Sequence, residues 1–398
     1  MNTKSKSYNL IQNFIRHFGD SQVSLYTASG RTELGGNHTD HQNGQVLAAA
    51  VDLKIMAAVS KVEKTIEIYS EGFGLIEMDI SDLSVKDDEK STTAALVRGV
   101  LAGLAEQGFN VGGFKAYIVS EIPAGSGLSS SAAFEILIGR IQSGLYNDNS
   151  VSYVELAKIG QVAENEYFGK PCGLMDQLAC ASDSIVYIDF AYDSCPIIEE
   201  IDFDLEAHGY KLCITNTGGS HADLTDDYAA VPNEMREVAE LFGRDKLRGI
   251  SAEQLIERAL EIRKKVGDRA LLRALHFARE TERAKAEAEA LKEADMEEFL
   301  RLVKESGDSS YKLLQNIYAS GRQSANAYKS EDQPIAVGLA VSELVLGEDG
   351  ACRVHGGGFA GTIQAFVKIE AVDRYREAMD KLFGDGACQV LKIGAKND

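Results

Sequence analysis

PAGSGLSSSAA, residues 123–133, is the part of this sequence that says most about its fold. It lies between an alternating, strand-like segment at 114–122 and a helix-like segment at 131–146. Its glycines allow a tight turn in which backbone N–H groups converge, and the helix start adds free donors and the positive end of a dipole. Its three consecutive serines supply hydroxyl groups for phosphate oxygens or Mg²⁺. The stretch therefore predicts a phosphate-binding loop, with an ordinary N-capped helix after a flexible turn as the alternative.

Two other glycine patterns do not predict the common nucleotide-binding folds. The Gly-Lys pair at 169–170 is followed by Pro171, so the GxxxxGK[ST] pattern of a P-loop is not formed. GGGFAG, residues 356–361, matches GxGxxG, but a strand-like segment at 362–367 follows it where a dinucleotide-binding unit needs a helix. This glycine run predicts either a tight turn between strands or a close approach of the backbone to a ligand or another loop.

Polar side chains are concentrated in GRTELGGNHTDHQNG, residues 30–44. Their histidine, aspartate and asparagine groups suit hydrogen bonding to a polyhydroxylated ligand, and an ordinary solvated loop is the alternative. The HxDH pattern has no established metal-ligand spacing. Another polar group, Asp176, lies in the apolar setting of PCGLMDQ, residues 171–177. A carboxylate there needs a partner, which is either a structural hydrogen bond or a reacting hydroxyl group.

Composition and charge limit the class of function. The 398 residues are enough for two domains, because one domain usually holds roughly 100–200 residues. A net charge of −20 without a Lys/Arg-rich run argues against a nucleic-acid partner, which needs a basic surface. Six cysteines without a CxxC pair predict reduced thiols, and neither a signal segment nor a membrane span is evident. We expect a cytoplasmic protein that does not associate with membranes and is a monomer or weak homo-oligomer.

The hydrophobic pattern predicts a mixed α+β chain with two domains, 1–185 and 186–398. In the first domain we expect helices at 10–18, 93–107, 131–146 and 151–168, strands at 23–28, 46–62 and 114–122, and a loop at 30–43. In the second domain we expect strands at 184–190 and 210–216, long helical segments between 252 and 317, a strand at 363–370, a helix at 372–382 and a last strand at 387–393.

Taken in order, these four motifs resemble those of the galactokinase branch of the GHMP small-molecule kinases. The polar loop resembles its GRxNLIGEHTDYNGG, the serine loop its PxGxGLSSSA, PCGLMDQ its PCGIMDQ, and GGGFAG its third, glycine-rich motif. A looser match, HADLTDDY at 221–228, resembles its sugar-contacting stretch. The resemblance covers roughly residues 23–367. It implies a two-domain GHMP-kinase-like fold with the active site in the interdomain cleft.

The resemblance also implies ATP, Mg²⁺ and a sugar as ligands. Asp176 would take the proton of the anomeric hydroxyl group, and Arg31 would keep Asp176 ionised and offset charge on the transferring phosphoryl group. Ser131 and Glu164 would hold Mg²⁺ directly or through water. The residues implied to hold the ATP phosphates are Gly125, Ser126, Gly127, Leu128, Ser129, Ser130 and Ser131.

By the same resemblance, the sugar would be contacted by Asn37, His38, Asp40, Gly173 and Tyr228. The family has Glu where this chain has Asn37, and that Glu is implied to contact the C6 hydroxyl group of the sugar. Asn37 can still donate and accept a hydrogen bond, but the negative charge is lost. Galacturonate, which carries a carboxylate at C6, is therefore a second candidate substrate. The HTDHQNG run also resembles the HIDHQGG of plant galacturonate kinases. Aromatic residues for an adenine pocket are not evident near 90–98.

The sequence therefore predicts an ATP-dependent sugar-1-kinase, galactokinase first and galacturonate kinase or another sugar-1-kinase second. A hypothesis of another class is a sugar- and ATP-binding sensor that keeps the fold without catalysis. The presence of both Arg31 and Asp176, with a complete serine loop, favours the enzyme.

Overall fold

The computed structural model describes residues 3–19, 21–123, 126–192, 195–218, 224–318 and 332–394. The chain packs as two compact units. Unit 1 comprises Met1–Arg31, Ala50–Ala124 and Leu128–Asp183, and unit 2 comprises Thr32–Ala49, Gly125–Gly127 and Ser184–Asp398. The sequence-based division into 1–185 and 186–398 had assigned 32–49 and 125–127 to the first domain, and it stays a prediction. Among the described residues, every helix is too short or too polar to cross a bilayer.

The elements up to residue 183 alternate between strands and helices. The strands are β1 (Ser24–Gly35), β2 (Gln45–Lys61), β3 (Thr65–Ser70), β4 (Gly74–Asp79) and β5 (Phe114–Ser120). The helices are α1 (Thr3–Phe18), α2 (Thr93–Glu106), α3 (Ser130–Tyr146), α4 (Tyr153–Val162) and α5 (Met175–Ser182), with a π-helix at Ala163–Phe168 directly after α4. Strands β1 and β2 contribute residues to both units.

Unit 1 is built on the sheet order β4-β3-β5-β2, in which β3 and β5 are parallel and the other neighbours antiparallel. Helix α1 is amphipathic, and its Leu10 and Phe14, four residues apart, are buried against Ala58 and Tyr117 of the sheet. The serine at the start of α4, Ser152, forms a capping box, which fixes where that helix begins.

The elements after residue 183 belong to unit 2. The strands are β6 (Ile185–Asp189), β7 (Ile197–Ile201), β8 (Tyr210–Asn216), β9 (Gly350–Val354), β10 (Thr362–Lys368) and β11 (Cys388–Leu391). The helices are α6 (Thr225–Leu241), α7 (Ala252–Glu257), α8 (Ala259–Lys265), α9 (Asp268–Lys292), α10 (Met296–Ser309), α11 (Pro334–Leu346) and α12 (Val372–Phe383), with a second π-helix at Ser310–Leu314.

Unit 2 contains an antiparallel sheet of order β11-β8-β10-β9. Helices α11 and α12 bury Ile335 and Tyr375 against it, next to Ile363 of β10. A second core joins α6, α7, α8 and α9 around Met235 and Phe277. The segment Gln45–Ala49 of β2 pairs with β6, which pairs in turn with β7.

The predicted mixed α+β class is confirmed, and the predicted loop at 30–43 is partly wrong. Strand β1 continues to Gly35 and is buried from Ala28 onward, so Arg31 lies in a strand. The prediction failed because a strand buried on both faces carries no alternation, and its glycines and polar residues look like a loop. The pattern also gave no indication of β3, β4, β7, β9, α5, α6 or α11.

Candidate active site

Asp176 is held by an arginine and a serine within unit 1. Arg31 of β1 donates two hydrogen bonds to it, Nε to Oδ1 at 2.7 Å and Nη2 to Oδ2 at 2.6 Å, and Ser129 Oγ also donates to Oδ2. Such a bidentate pair fixes both charge and orientation. Burial alone would raise the pKa of Asp176, but the charge and hydrogen bonds of Arg31 and the Ser129 hydroxyl outweigh it and lower that pKa. Asp176 is therefore an oriented, ionised carboxylate with 28% of its side chain exposed.

Ser129 has an unusual backbone conformation for its position. It is the N-cap residue of α3, yet its φ of 54° lies in the left-handed region and its side chain does not cap the helix. A serine in this position would ordinarily accept a hydrogen bond from the first turn. The Ser129 hydroxyl donates to Asp176 instead, so a hydrogen bond links the start of α3 to this carboxylate. Unfavourable backbone conformations of this kind are concentrated at functional sites.

The first turn of α3 also contacts a buried carboxylate on the π-helix. Ser131 Oγ donates to Glu164 Oε1 at 3.0 Å, and Lys170 Nζ donates to the same oxygen at 2.9 Å. Gln177 Nε2 donates to Glu164 Oε2 at 2.9 Å and to Glu135 Oε2 at 3.1 Å. The side chain of Glu164 is only 3% exposed. Serine hydroxyl and glutamate oxygens are hard ligands of the kind Mg²⁺ takes, and Glu164 Oε1 already attracts a cation. The two residues therefore fit an Mg²⁺ site.

These two oxygens alone do not make a complete metal site. No group of three or more His, Cys, Asp or Glu side chains in the described part of the chain is arranged to hold a metal ion. Protein Mg²⁺ sites in kinases commonly use one or two side chains, with phosphate oxygens and water filling the other positions. Ser131 and Glu164 match that pattern.

The remaining residues of the serine loop are divided between the units. In unit 1, Leu128 is fully buried and its carbonyl oxygen accepts from Arg31 N at 3.1 Å, while Ser130 is the first residue of α3. In unit 2, Gly127 has a φ of 70°, and an added Cβ would lie 2.9 Å from Thr362 Oγ1. Only glycine fits there. Ser126 is buried in the same unit. Gly125 lies outside the described residues.

Gly173 lies in the segment between the π-helix and α5. This segment is anchored at Cys172, whose N–H donates to Asn165 Oδ1 at 2.6 Å, and Gln161 Nε2 donates to the Cys172 carbonyl oxygen at 3.3 Å. Gly173 itself is half-buried. The anchored segment leads directly into the helix that carries Asp176, so its position fixes the start of α5.

In unit 2, Asn37 is completely buried and its amide is fully used. Its Nδ2 donates to Glu33 Oε1 at 3.0 Å and to the Gly356 carbonyl oxygen at 2.6 Å, and its Oδ1 accepts from Asn316 Nδ2 at 2.9 Å. Glu33 in turn forms an ion pair with Arg353 of β9. Both charged side chains are at most 5% exposed. Asn37 is thus part of a buried polar network around an ion pair.

His38 and Tyr228 contact the same glycine run as Asn37. His38 Nε2 lies 3.0 Å from the Gly357 carbonyl oxygen, and the Tyr228 hydroxyl donates to the Gly358 carbonyl oxygen at 2.8 Å. Burial lowers the pKa of His38 to about 4, so the ring is neutral at pH 7. Since Nε2 donates to the carbonyl, Nδ1 is the unprotonated nitrogen and can accept a hydrogen bond. The structure therefore brings three of the five predicted sugar contacts together.

Asp40, a fourth predicted sugar contact, follows His38 and Thr39 and begins a short 3-10 helix. Its Oδ1 accepts from His41 N at 2.9 Å.

The backbone of the glycine run at 356–361 passes close to the segment that follows the second π-helix: an added Cβ at Gly358 would lie 2.2 Å from the Asn316 carbonyl oxygen. The sequence had left open whether this run is a turn or a close approach, and it is both. Residues 221–223 of the looser match lie outside the described residues.

Sequence reasoning missed Glu33, Arg353, Gln177 and Lys170. Strand β9 reads GACRV and is buried throughout, and an arginine in an apolar strand indicates a buried partner. That signal was available for Arg353. In the sequence, Lys170 is part of an incomplete P-loop pattern, and its contact with Glu164 depends on the π-helix, which the sequence does not predict.

Comparison with known proteins agrees with these motifs. Residues 95–184 match the GHMP kinases N terminal domain, and residues 12–61 match the galactokinase galactose-binding signature. A galactokinase of Actinobacillus pleuropneumoniae is 32% identical over 372 residues, which cover 92% of this chain and 90% of that protein. A galactokinase of Enterococcus faecalis is 31% identical and covers 94% of both chains.

Solved structures show the same fold. Lactococcus lactis galactokinase in complex with galactose has a TM-score of 0.82 at 24% identity and covers 98% of both chains. Methanococcus jannaschii mevalonate kinase has a TM-score of 0.63 at 18% identity, covering 96% of this chain and all of that one. The sequence identity to curated galactokinases over nine-tenths of the chain decides the family: this chain belongs to the galactokinase family of the GHMP kinases.

Proposed function

We propose that this protein is an ATP-dependent galactokinase that transfers the γ-phosphoryl group of ATP to the anomeric hydroxyl group of galactose. The observation that carries the proposal is the bidentate Arg31–Asp176 pair, in which the arginine keeps the carboxylate ionised. Ser129, at the start of α3, donates a further hydrogen bond to the same carboxylate. The match of residues 12–61 to a galactose-binding signature supports galactose as the acceptor.

In the proposed reaction, Asp176 accepts the proton of the anomeric hydroxyl group. The anomeric oxygen forms a bond to the γ-phosphorus, the bond from that phosphorus to the β–γ bridging oxygen breaks, and ADP leaves. Arg31 keeps Asp176 ionised and offsets charge on the transferring phosphoryl group. Phosphoryl transfer depends mainly on positioning and charge neutralisation, so a base and a cation in fixed geometry are suitable machinery.

The serine loop and Glu164 are proposed to hold MgATP. The N–H groups at the start of α3 and the hydroxyls of Ser130 and Ser131 would face the phosphates. Ser131 and Glu164 would hold Mg²⁺, which supplies charge neutralisation on the phosphate oxygens. Ser126, Gly127 and the other residues predicted for this loop stay part of the proposal.

The sugar is proposed to be contacted by His38, Asp40, Gly173 and Tyr228, with Asn37 next to them. The neutral ring of His38 offers Nδ1 as an acceptor, and the Tyr228 oxygen can accept while its proton is used on Gly358. Acceptors of this kind suit the O–H groups of a neutral sugar.

A second candidate substrate, galacturonate, is favoured by one observation. Relative to the family pattern GRxNLIGEHTDYNGG, this chain exchanges two side chains: Glu33 stands where the family has Asn, and Asn37 where it has Glu. The carboxylate at position 33 is committed to Arg353, which leaves a neutral amide at position 37. A neutral amide repels a C6 carboxylate less than a glutamate does.

The experiment that tests the proposal is ADP release with MgATP and a panel of galactose, galacturonate, glucose, arabinose and N-acetylgalactosamine. We expect galactose to give the highest kcat/KM. Higher kcat/KM with galacturonate would select the second candidate, and sugar binding without ADP release would select a non-catalytic sensor. We also propose a cytoplasmic protein, which the six free thiols favour, acting as a monomer or weak homo-oligomer.

A further inference from the structure

Lys170 lies beside the first turn of α3, in the segment that joins the π-helix to α5. Its ammonium group shares Glu164 Oε1 with the hydroxyl group of Ser131, at 2.9 Å and 3.0 Å respectively. The charge of Lys170 also reaches Asp176, whose pKa it helps to lower. One flexible cation therefore lies close to the base and to both proposed metal ligands of unit 1.

The two partners of this ion pair differ in their surroundings. The side chain of Glu164 is 3% exposed, whereas that of Lys170 is 61% exposed. Without Lys170, Glu164 still accepts from Ser131 and Gln177. Lysine carries a compact charge on a flexible four-carbon stem, so its ammonium group can leave Glu164 by rotation of that stem. The geometry thus allows Lys170 to change partners without disturbing the buried carboxylate.

Lys170 has a reason to change partners when the nucleotide binds. A divalent cation at Glu164 would compete for the oxygen that Lys170 now contacts. The serine loop is proposed to bind the terminal phosphates of ATP next to Ser131. An ammonium group that is released from Glu164 would then have the phosphate oxygens as acceptors, besides the Asp176 carboxylate that its charge already reaches.

We propose that Lys170 is a phosphate-contacting residue that pairs with Glu164 in the nucleotide-free protein and with a non-bridging oxygen of the terminal ATP phosphates in the complex. This inference rests on the proposed kinase function. No bond forms or breaks at Lys170, and it keeps its proton throughout. An ordinary structural ion pair between Lys170 and Glu164 is the competing explanation.

The test is binding of the non-hydrolysable ATP analogue AMPPNP to Lys170→Met, measured by calorimetry in EDTA and again in saturating Mg²⁺. We expect the Kd in Mg²⁺ to rise ~10-fold, the value of one hydrogen bond to a charged group. In EDTA the rise should be smaller, because without a divalent cation at Glu164 the ammonium group stays paired with that carboxylate. Lys170→Arg should stay within ~3-fold of the wild type in both conditions. Lys115→Met, which removes a partly exposed lysine paired with Glu67 on the same unit, is the matched control.

Each outcome decides between the explanations. An unchanged Kd of Lys170→Met in Mg²⁺ overturns the inference while leaving the kinase proposal intact. Equal losses with and without Mg²⁺, accompanied by a lower Tm, indicate a structural ion pair and also overturn it. Failure of the wild-type protein to bind AMPPNP in Mg²⁺ would overturn the proposed function, and with it this inference.

Discussion

Replacing Asp176 with asparagine removes the negative charge of the proposed base and almost nothing else. The new side chain would have the same size and could still accept one hydrogen bond from Arg31, in place of the two at 2.6 and 2.7 Å. The proton of the sugar hydroxyl would have no carboxylate to receive it. Loss of a general base usually costs ~10²-fold or more in rate, equal to about 2.7 kcal/mol in the activation barrier.

The same substitution has a separate cost in stability. Arg31 is 9% exposed in its side chain and would lose its counter-charge, which costs about 1–3 kcal/mol. The Asp176 side chain is 28% exposed, so solvent offsets part of this cost and we expect the lower half of the range. In a domain of 150–250 residues, 1 kcal/mol shifts Tm by roughly 2–4 °C, so the variant should fold with a Tm a few degrees lower.

A second carboxylate in unit 1 provides a matched control. Asp183 also accepts from an arginine and a serine, from Arg140 Nη2 at 2.7 Å and from Ser29 Oγ at 3.0 Å, and its side chain is 18% exposed. Asp183→Asn should lower Tm by a similar amount, because it also removes the counter-charge of an arginine. Asp183 is not part of the proposed site, so kcat should stay within about 3-fold of the wild type. The assay is ADP release at saturating sugar and MgATP. A kcat of Asp176→Asn close to that of Asp183→Asn would refute the role of Asp176 as base.

Three further predictions concern other residues. Arg31→Lys keeps a positive charge but loses the bidentate geometry, so kcat should fall by about 10-fold or more with little change in sugar KM, and an unchanged kcat would remove Arg31 from the mechanism. The double exchange Glu33→Asn with Asn37→Glu restores the family pattern and returns a negative charge to position 37. Because that charge repels a C6 carboxylate, the ratio of kcat/KM for galactose to kcat/KM for galacturonate should rise by about 10-fold. A constant ratio would show that these two side chains do not discriminate between substituents at C6. Neither carboxyl oxygen of Glu287 has a hydrogen-bond partner among the described residues, and burial raises its pKa well above the ordinary 4.5. Ionising it is thus costly only in the folded state, so Glu287→Gln should raise Tm by roughly a few degrees at pH 8 and leave it unchanged at pH 4, where both states are protonated; equal shifts at both pH values would contradict this.

The sequence predicted the mixed α+β class of the fold, and it named the residues of the candidate site from short motifs. In the structure, Arg31 donates to Asp176 and Ser131 donates to Glu164, and Ser129 and Ser131 at the start of α3 supply one hydroxyl to each carboxylate. Such motifs are local in the sequence. The backbone N–H groups and hydroxyls of a loop that precedes a helix can bind an anion wherever in the fold that helix packs. The roles of these residues nevertheless stay proposals, since geometry alone does not test them.

What the sequence could not predict depends on pairing over long distances. The buried Glu33–Arg353 ion pair joins residues 320 positions apart in the sequence, so nothing local indicates it. Strand β1 was partly missed because burial on both faces removes the alternation that marks a strand. The π-helix that places Glu164 opposite Ser131 and Lys170 is a departure from the regular period of α4, and periodicity arguments predict only regular helices.

The most direct measurement is ³¹P and ¹H NMR of a reaction containing the wild-type protein, galactose, ATP and Mg²⁺. The account predicts one phosphomonoester at the anomeric carbon and one ADP for each sugar consumed, with both formed at least ~10²-fold more slowly when Asp176→Asn replaces the wild type. Phosphate attached to another sugar carbon, or no ADP above background with any sugar of the panel, would contradict it.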